Sequence, residues 1–318
     1  MYLFQQSSTG AINEMKQERF LLEKDIQSLI EANLSEIFNL QFVASELTVE
    51  KFRIDTLAFD EENNAFVIIE YKKGNSYSVV DQGYSYLSVM LNNKADFILE
   101  YNERLGHTLR RDDVDWSASR VIFVSPSFNA YQKNSVNFRD IPFELWEIRR
   151  FESGVISLVQ HQASSNEDIN LIADTNPTSP IKQVSSEVKI YKEEDHTSSA
   201  SAETLEVFKA LKEELNSWDD VTCTAMKYYV GFKKGNSLFA AVRIFKNHLS
   251  VDFSRGQISP DGQKSKNFFT VDDPKNTLEA KSWTHKNGRV GNSYVMKLSK
   301  ASDLDYAKYL IKQKYETL

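Results

Sequence analysis

Residues 52–74 read FRIDTLAFDEENNAFVIIEYKKG, and residues 79–86 read VVDQGYSY. An apolar run carrying Asp55 is followed by the polar cluster Glu61-Glu62-Asn63-Asn64. A second apolar run then ends in Glu70-Tyr71-Lys72. Two apolar runs around a polar, Asn-rich turn predict a hairpin, with strands over 51–59 and 65–72. Side chains alternate along a strand, so Glu70 and Lys72 share one face and Tyr71 takes the other. Phe66 and Ile68 lie farther back on the Glu70 face, which predicts burial up to the strand end. Hairpin pairing brings Asp55 and Glu70 together. Two carboxylates ~4 Å apart repel by roughly 4 kcal/mol at an effective dielectric of about 20. A bound cation or a nearby ammonium removes that cost. A helix expected over 78–91 places Gln82 and Tyr86 one turn apart.

This set of residues suits metal-dependent phosphodiester cleavage. Mg²⁺ (or Mn²⁺) fits a carboxylate pair, because such hard cations take oxygen ligands and Mg²⁺ keeps several waters. It would polarise a phosphate and supply a hydroxide nucleophile. Lys72 would position the water or stabilise developing charge. A structural ion pair at a strand edge is the plainer reading of Asp55, Glu70 and Lys72. Packing beside Tyr84, Leu87 and Met90 is the plainer reading of Tyr86. Lys73, next to Gly74, is either a phosphate contact or a solvated charge.

The length of 318 residues suggests about two domains. The 41% hydrophobic and 26% charged content is that of a globular protein with a normal core. No run of ~18 apolar residues predicts a membrane span. The N-terminus has no secretory signal pattern. The single Cys223 excludes an internal disulfide and a Cys-rich zinc site, and fits the cytoplasm. The histidines lack metal-ligand spacing, and neither a phosphate-binding G-x-x-x-x-G-K-[ST] loop nor a G-x-S-x-G elbow occurs. Charge is uneven: net −8 over 1–162, −4 over 163–202 and +5 over 203–318. An acidic first part suits a cation, and a basic last part suits an anion.

One amphipathic helix is expected over 17–39, from the spacing of Leu22, Ile26, Leu29, Ile30, Ile37 and Phe38. Strands are expected over 41–47, 120–125, 143–150 and 155–160. Residues 163–202 are rich in Ser, Asn, Thr and acids and bury too little to offset chain entropy, so they read as a polar linker with a short strand near 188–191. Beyond it come a helix carrying Leu205, Phe208, Leu211 and Leu215, strands over 228–232, 238–245, 249–253 and 293–298, and a final helix over 302–315 capped by Ser302. Gly235-Asn236 marks a hairpin turn.

In this order of elements, the first half resembles the PD-(D/E)XK nuclease superfamily, in particular its RecB-like and NucS-like branches. The resemblance covers about 17–160 and implies an α/β, restriction-endonuclease-like mixed sheet flanked by helices over 1–162. The metal-binding Asp of the family maps onto Asp55, although Ile54 replaces the usual Pro. The E-x-K maps onto Glu70 and Lys72, and Q-xxx-Y maps onto Gln82 and Tyr86. The backbone carbonyl of Tyr71 is a further candidate metal ligand. The family often adds an acid from its first helix, for which Glu23 is favoured over Glu31 and Glu36, and Glu46 is another candidate. The implied substrate is nucleic acid, most readily DNA, in bacterial repair or defence, and pairing into a homodimer is compatible with it. An inactive nuclease fold that only binds nucleic acid or protein is the alternative.

Residues 203–318 resemble a small uncharacterised domain appended to nuclease-like bacterial proteins, a second, smaller α+β domain. Lys227, Lys233, Lys234, Arg243 and Lys246 alternate with Tyr228, Tyr229, Phe232 and Phe245, which suits nucleic-acid contact. A half-exposed sheet explains the same pattern. Trp283, His285 and Arg289 flank a Gly288/Gly291 loop, read as a turn or a recognition loop.

Overall fold

The computed structural model describes residues 2–73, 79–137, 141–161, 180–265, 268–284 and 290–318, with the backbone alone at 180–183. The chain divides into two compact units, Met1–Lys189 and Ile190–Leu318.

The first unit opens with a hairpin, β1 (Phe4–Gln6) and β2 (Ile12–Glu14). Next come β3 (Gln17–Glu18), α1 (Glu23–Glu31), α2 (Leu34–Phe38), β4 (Gln41–Val49), β5 (Phe52–Asp60) and β6 (Ala65–Tyr71). After these follow α3 (Val79–Asn92), α4 (Lys94–Leu105), β7 (Arg120–Ser125), α5 (Ala130–Ser135), β8 (Phe143–Phe151), β9 (Ile156–His161) and α6 (Pro180–Glu187). β3 to β9 form one mixed sheet in the order β3-β8-β7-β6-β5-β4, with β9 also on β8. β6, β7 and β8 run parallel, and the other pairs are antiparallel. This is a restriction-endonuclease-like sheet with helices on both faces.

Every residue of β6 is buried, as expected of a strand covered on both sides. Phe66 and Ile68 join Leu57, Phe123, Leu145, Leu87 and Met90 in the core under α3 and α4. Val67, Ile69 and Tyr71 face Ile26 and Ile30 of α1. The β5–β6 turn is pinned by Asp60, whose carboxylate accepts the N–H groups of Glu62 and Asn63 and the Arg120 guanidinium. Asn64 takes a left-handed φ of 51° there. In α3, Gly83 lies against the Phe143 ring of β8, and a Cβ there would come within 2.6 Å of it.

The helix expected over 17–39 is not continuous. Gln17–Glu18 pairs with β8, and the helical stretch breaks before Asn33. Asn33 turns its side-chain amide back onto the Leu29 carbonyl (2.7 Å), and Asn39 ends α2 with φ 54°. Asparagine competes locally for backbone groups in this way.

The second unit consists of α7 (Glu193–Thr197), α8 (Ala202–Asn216), β10 (Val221–Ala225), β11 (Val230–Lys234), β12 (Ser237–Phe245), β13 (His248–Ile258), β14 (Glu279–Thr284), β15 (Val290–Leu298) and α9 (Leu304–Tyr315). Its sheet is antiparallel throughout, ordered β10-β11-β12-β13-β15-β14. α8 and α9 bury Phe208, Leu211, Leu215, Leu310 and Ile311 against it, an α+β arrangement. Gly235, at φ 53°, turns β11 into β12. Asp303, not Ser302, stands at the N-cap of α9, because Ala301–Asp303 forms a 3₁₀ turn first.

Residues 163–179 of the expected linker lie outside the described residues. Its described part is structured: α6 packs on α3, with Val184 and Val188 buried in the first core, and α7 packs on β12. No strand forms over 188–191. Among the described residues no helix is long and apolar enough to cross a membrane.

Candidate active site

The β5–β6 ladder pairs Leu57 with Ile68 and Thr56 with Ile69. One more step sets Asp55 opposite Glu70, at the end of the buried face. The Tyr71 N–H donates to Asp55 Oδ2 at 3.1 Å. Glu70 is 4% exposed. Its Oε1 accepts both Lys72 Nζ and Gln82 Nε2, each at 2.8 Å. Its Oε2 is buried and has no hydrogen-bond partner among the described residues. Gln82 Nε2 also donates to the Tyr86 hydroxyl (3.1 Å), which donates to the Arg53 carbonyl (3.2 Å). The five residues expected to carry chemistry therefore meet at one place.

Burial and the neighbouring Glu70 charge push the Asp55 carboxyl up to about 6, against the pull of the Tyr71 N–H and Lys72. Burial, and then Glu70, raise the Tyr86 hydroxyl above its ordinary value, so it remains a proton donor. Two facing carboxylates with one buried oxygen unpartnered suit a hard cation that brings its own waters. Among the described residues no group of three or more His, Cys, Asp or Glu is placed to hold a metal.

The other expected residues divide. The Tyr71 ring lies on the opposite face, its hydroxyl 3.2 Å from Thr56 Oγ1. Glu23 accepts the Lys73 N–H at 2.8 Å, and Lys73 Nζ donates to the Leu21 carbonyl. Glu36 is exposed. Glu31 accepts from Thr56 Oγ1 (2.6 Å) and Gln27 Nε2 (2.9 Å). Sequence reasoning passed over Gln27. It is 4% exposed and donates to Ser45 Oγ (3.0 Å) and the Asp55 carbonyl (2.9 Å). Its only signal was a polar residue on the apolar stripe of α1, beside Ile26 and Ile30.

In the second unit, Lys234 donates to the Tyr315 carbonyl (3.5 Å) and lies over that ring, and Arg243 pairs with Asp252 at 2.6 Å. Lys233 is half-buried. Trp283 sits on β14 against Gly291, while His285, Gly288 and Arg289 lie outside the described residues.

A Haemophilus influenzae protein described as uncharacterized is 41% identical over 309 residues, spanning 96% of this chain and 97% of that one. The chain belongs to the family of that protein. Within the family's shared length, residues 193–317 match a domain of unknown function, DUF5655. Among solved structures, EndoMS bound to double-stranded DNA is 19% identical, over 41% of this chain and 47% of that one, with a TM-score of 0.27. A repair endonuclease from Pyrococcus abyssi is 18% identical, over 37% and 44%, with a TM-score of 0.21. Pyrococcus furiosus SfsA in complex with Ca²⁺ is 12% identical, over 47% and 75%, with a TM-score of 0.23. The chain spans about half the length of the first two structures, and the likeness to all three is a distant one of part of the fold.

Proposed function

We propose that the first unit is a metal-dependent nuclease that hydrolyses phosphodiester bonds, with DNA as the substrate class. The observation that carries this reading is the buried, unpartnered Oε2 of Glu70 across the ladder from Asp55, whose carboxyl is pushed up by burial first and by the Glu70 charge second. Asp55 and Glu70 would hold Mg²⁺ or Mn²⁺, which when bound supplies phosphate polarisation and a nucleophilic hydroxide. Lys72, whose Nζ lies on Glu70, offers its ammonium to water or to the charge that develops on the phosphoryl oxygens. Gln82 and Tyr86 fix Glu70 in place through their hydrogen-bond chain. The test is a labelled panel of single-stranded, duplex, flapped and mismatched DNA, and RNA, incubated with Mn²⁺ beside Lys72→Ala. Metal-dependent cutting that the variant loses supports the reading. No cutting by folded protein on any substrate ends it.

A second reading, a nuclease fold that binds without turnover, is favoured by two observations. Lys72 and Gln82 already occupy Glu70 Oε1, and no three-acid group is found among the described residues. Mn²⁺ affinity separates the two. An active site binds Mn²⁺ and loses it on Asp55→Asn, whereas a binding module shows neither.

A further inference from the structure

Glu46 lies within β4 yet has φ 54°, in the left-handed region. The ladder pairs Ser45 with Thr56 and Leu47 with Ile54, so the same register sets Glu46 opposite Asp55, although those two are not themselves ladder partners. Side chains other than glycine seldom adopt that conformation, and such departures gather at functional sites when neighbours hold them. Two cations flank its carboxylate. Lys24 Nζ of α1 is 3.3 Å from Glu46 Oε1, and Arg53 Nε of β5 is 3.0 Å from Glu46 Oε2. Both cationic side chains are largely in solvent, at 57% and 69% exposure.

Both are also wired to the candidate site. Lys24 Nζ donates to Gln27 Oε1 (3.2 Å), and Gln27 donates to the Asp55 carbonyl. The Arg53 carbonyl accepts the Tyr86 hydroxyl, and Arg53 lies two residues from Asp55 on the same side of its strand. Exposed ion pairs contribute little stability, so exchanging their partner is easy. A phosphodiester is an acceptor that an arginine fork and a lysine both suit.

Building on the nucleic-acid reading of the site, we infer that Lys24 and Arg53 form a clamp for the sugar–phosphate backbone at the site mouth. Glu46 is the clamp's internal competitor, pairing with both side chains until a phosphate replaces it. This gives a strongly acidic half-chain a local means of receiving a polyanion. A purely structural Lys24–Glu46–Arg53 triad would make no difference to nucleic-acid binding.

The experiment measures binding of the full chain to labelled DNA and RNA of one sequence, single-stranded and duplex, by fluorescence anisotropy. Divalent metal is chelated, so that binding is read apart from cleavage. Salt is varied, because each phosphate contact contributes about 0.9 to the log–log slope on duplex DNA and about 0.7 on single strands. Lys24→Gln and Arg53→Gln should each lower the slope by about one contact, and Arg53→Lys should restore most of it. Glu46→Gln should tighten binding severalfold at low salt. Unchanged slopes, weaker binding by Glu46→Gln, or no binding by the wild type would each overturn the clamp. Circular dichroism and melting of every variant confirm the fold. Cleavage retained without the clamp signature leaves the nuclease reading standing. The clamp signature without cleavage does the reverse.

Discussion

Glu70 in the first unit and Lys314 in the second are each 4% exposed. Around Glu70 the chain gathers a lysine, a glutamine amide and a second carboxylate from two strands and a helix. Around Lys314, among the described residues, the ammonium meets only the ring of Phe269, 5.5 Å away, and burial lowers its proton affinity. Burial of charge is common to both places, and convergence is not. A like-charge pair brought together by ladder register is hard to explain as packing, whereas a single lysine threading a helix into the core is easily explained by its long apolar stem. The candidate chemistry therefore belongs with Glu70.

That contrast can be broken first at Lys72. Lys72→Ala should reduce cleavage about 10²–10⁴-fold, within the range for a positioned acid–base group. An unchanged rate would reduce the Glu70 cluster to an ordinary ion pair. Asp55→Asn should abolish Mn²⁺ binding yet raise the melting temperature of the metal-free protein by a few degrees. The sign follows from linkage. Asp55 titrates near 6 in the fold against an ordinary 3.8, so ionising it disfavours the folded state. That penalty is absent below about pH 4, where both states are protonated, and complete above about pH 6. The stabilisation should therefore appear in melting curves at pH 8 and vanish near pH 3.5. A pH-independent effect would refute it.

Gly83→Ala probes whether α3 must sit this close to deliver Gln82. Its Cβ would meet the Phe143 ring, so a loss of about 1–3 kcal/mol in urea unfolding is expected, with cleavage falling alongside. A neutral result would mean that the helix can shift without harm. Lys314→Met should have the smallest effect, a gain of about 1 kcal/mol at neutral pH. Its folded-state value lies below the ordinary 10.5, so the ammonium weakens the fold at neutral pH and the gain fades as pH rises past that value. A large loss on Lys314→Met, or loss of a binding activity, would give Lys314 a role that its surroundings do not suggest.

The hairpin was readable because its signals agree: alternation, an Asn-rich turn and charged residues at one strand end. Glu70, Lys72, Gln82 and Tyr86 fall where period-2 and period-3.6 spacing put them. The Gln27–Glu31–Thr56 network was not readable, since its partners lie on two elements, α1 and β5, that only tertiary packing joins. Nor was the break at Asn33, where a local hydrogen bond overrides a continuous apolar stripe. β14 escaped notice because all its residues are exposed, leaving no alternation to read.

All the residues from Lys24 to Tyr86 that make up the candidate site come from consecutive elements, α1 to α3, and its carboxylates meet across a tight hairpin. Parallel pairing of β6 with β7 has to wait for α3 and α4 to pass between them. Short-range contacts close faster than long-range ones. The site should thus condense early during folding, with its repelling carboxylates already adjacent before the sheet is complete. Pulse-labelled hydrogen exchange should find β5–β6 amides protected ahead of those in β7–β8, and the opposite order would contradict this assembly sequence.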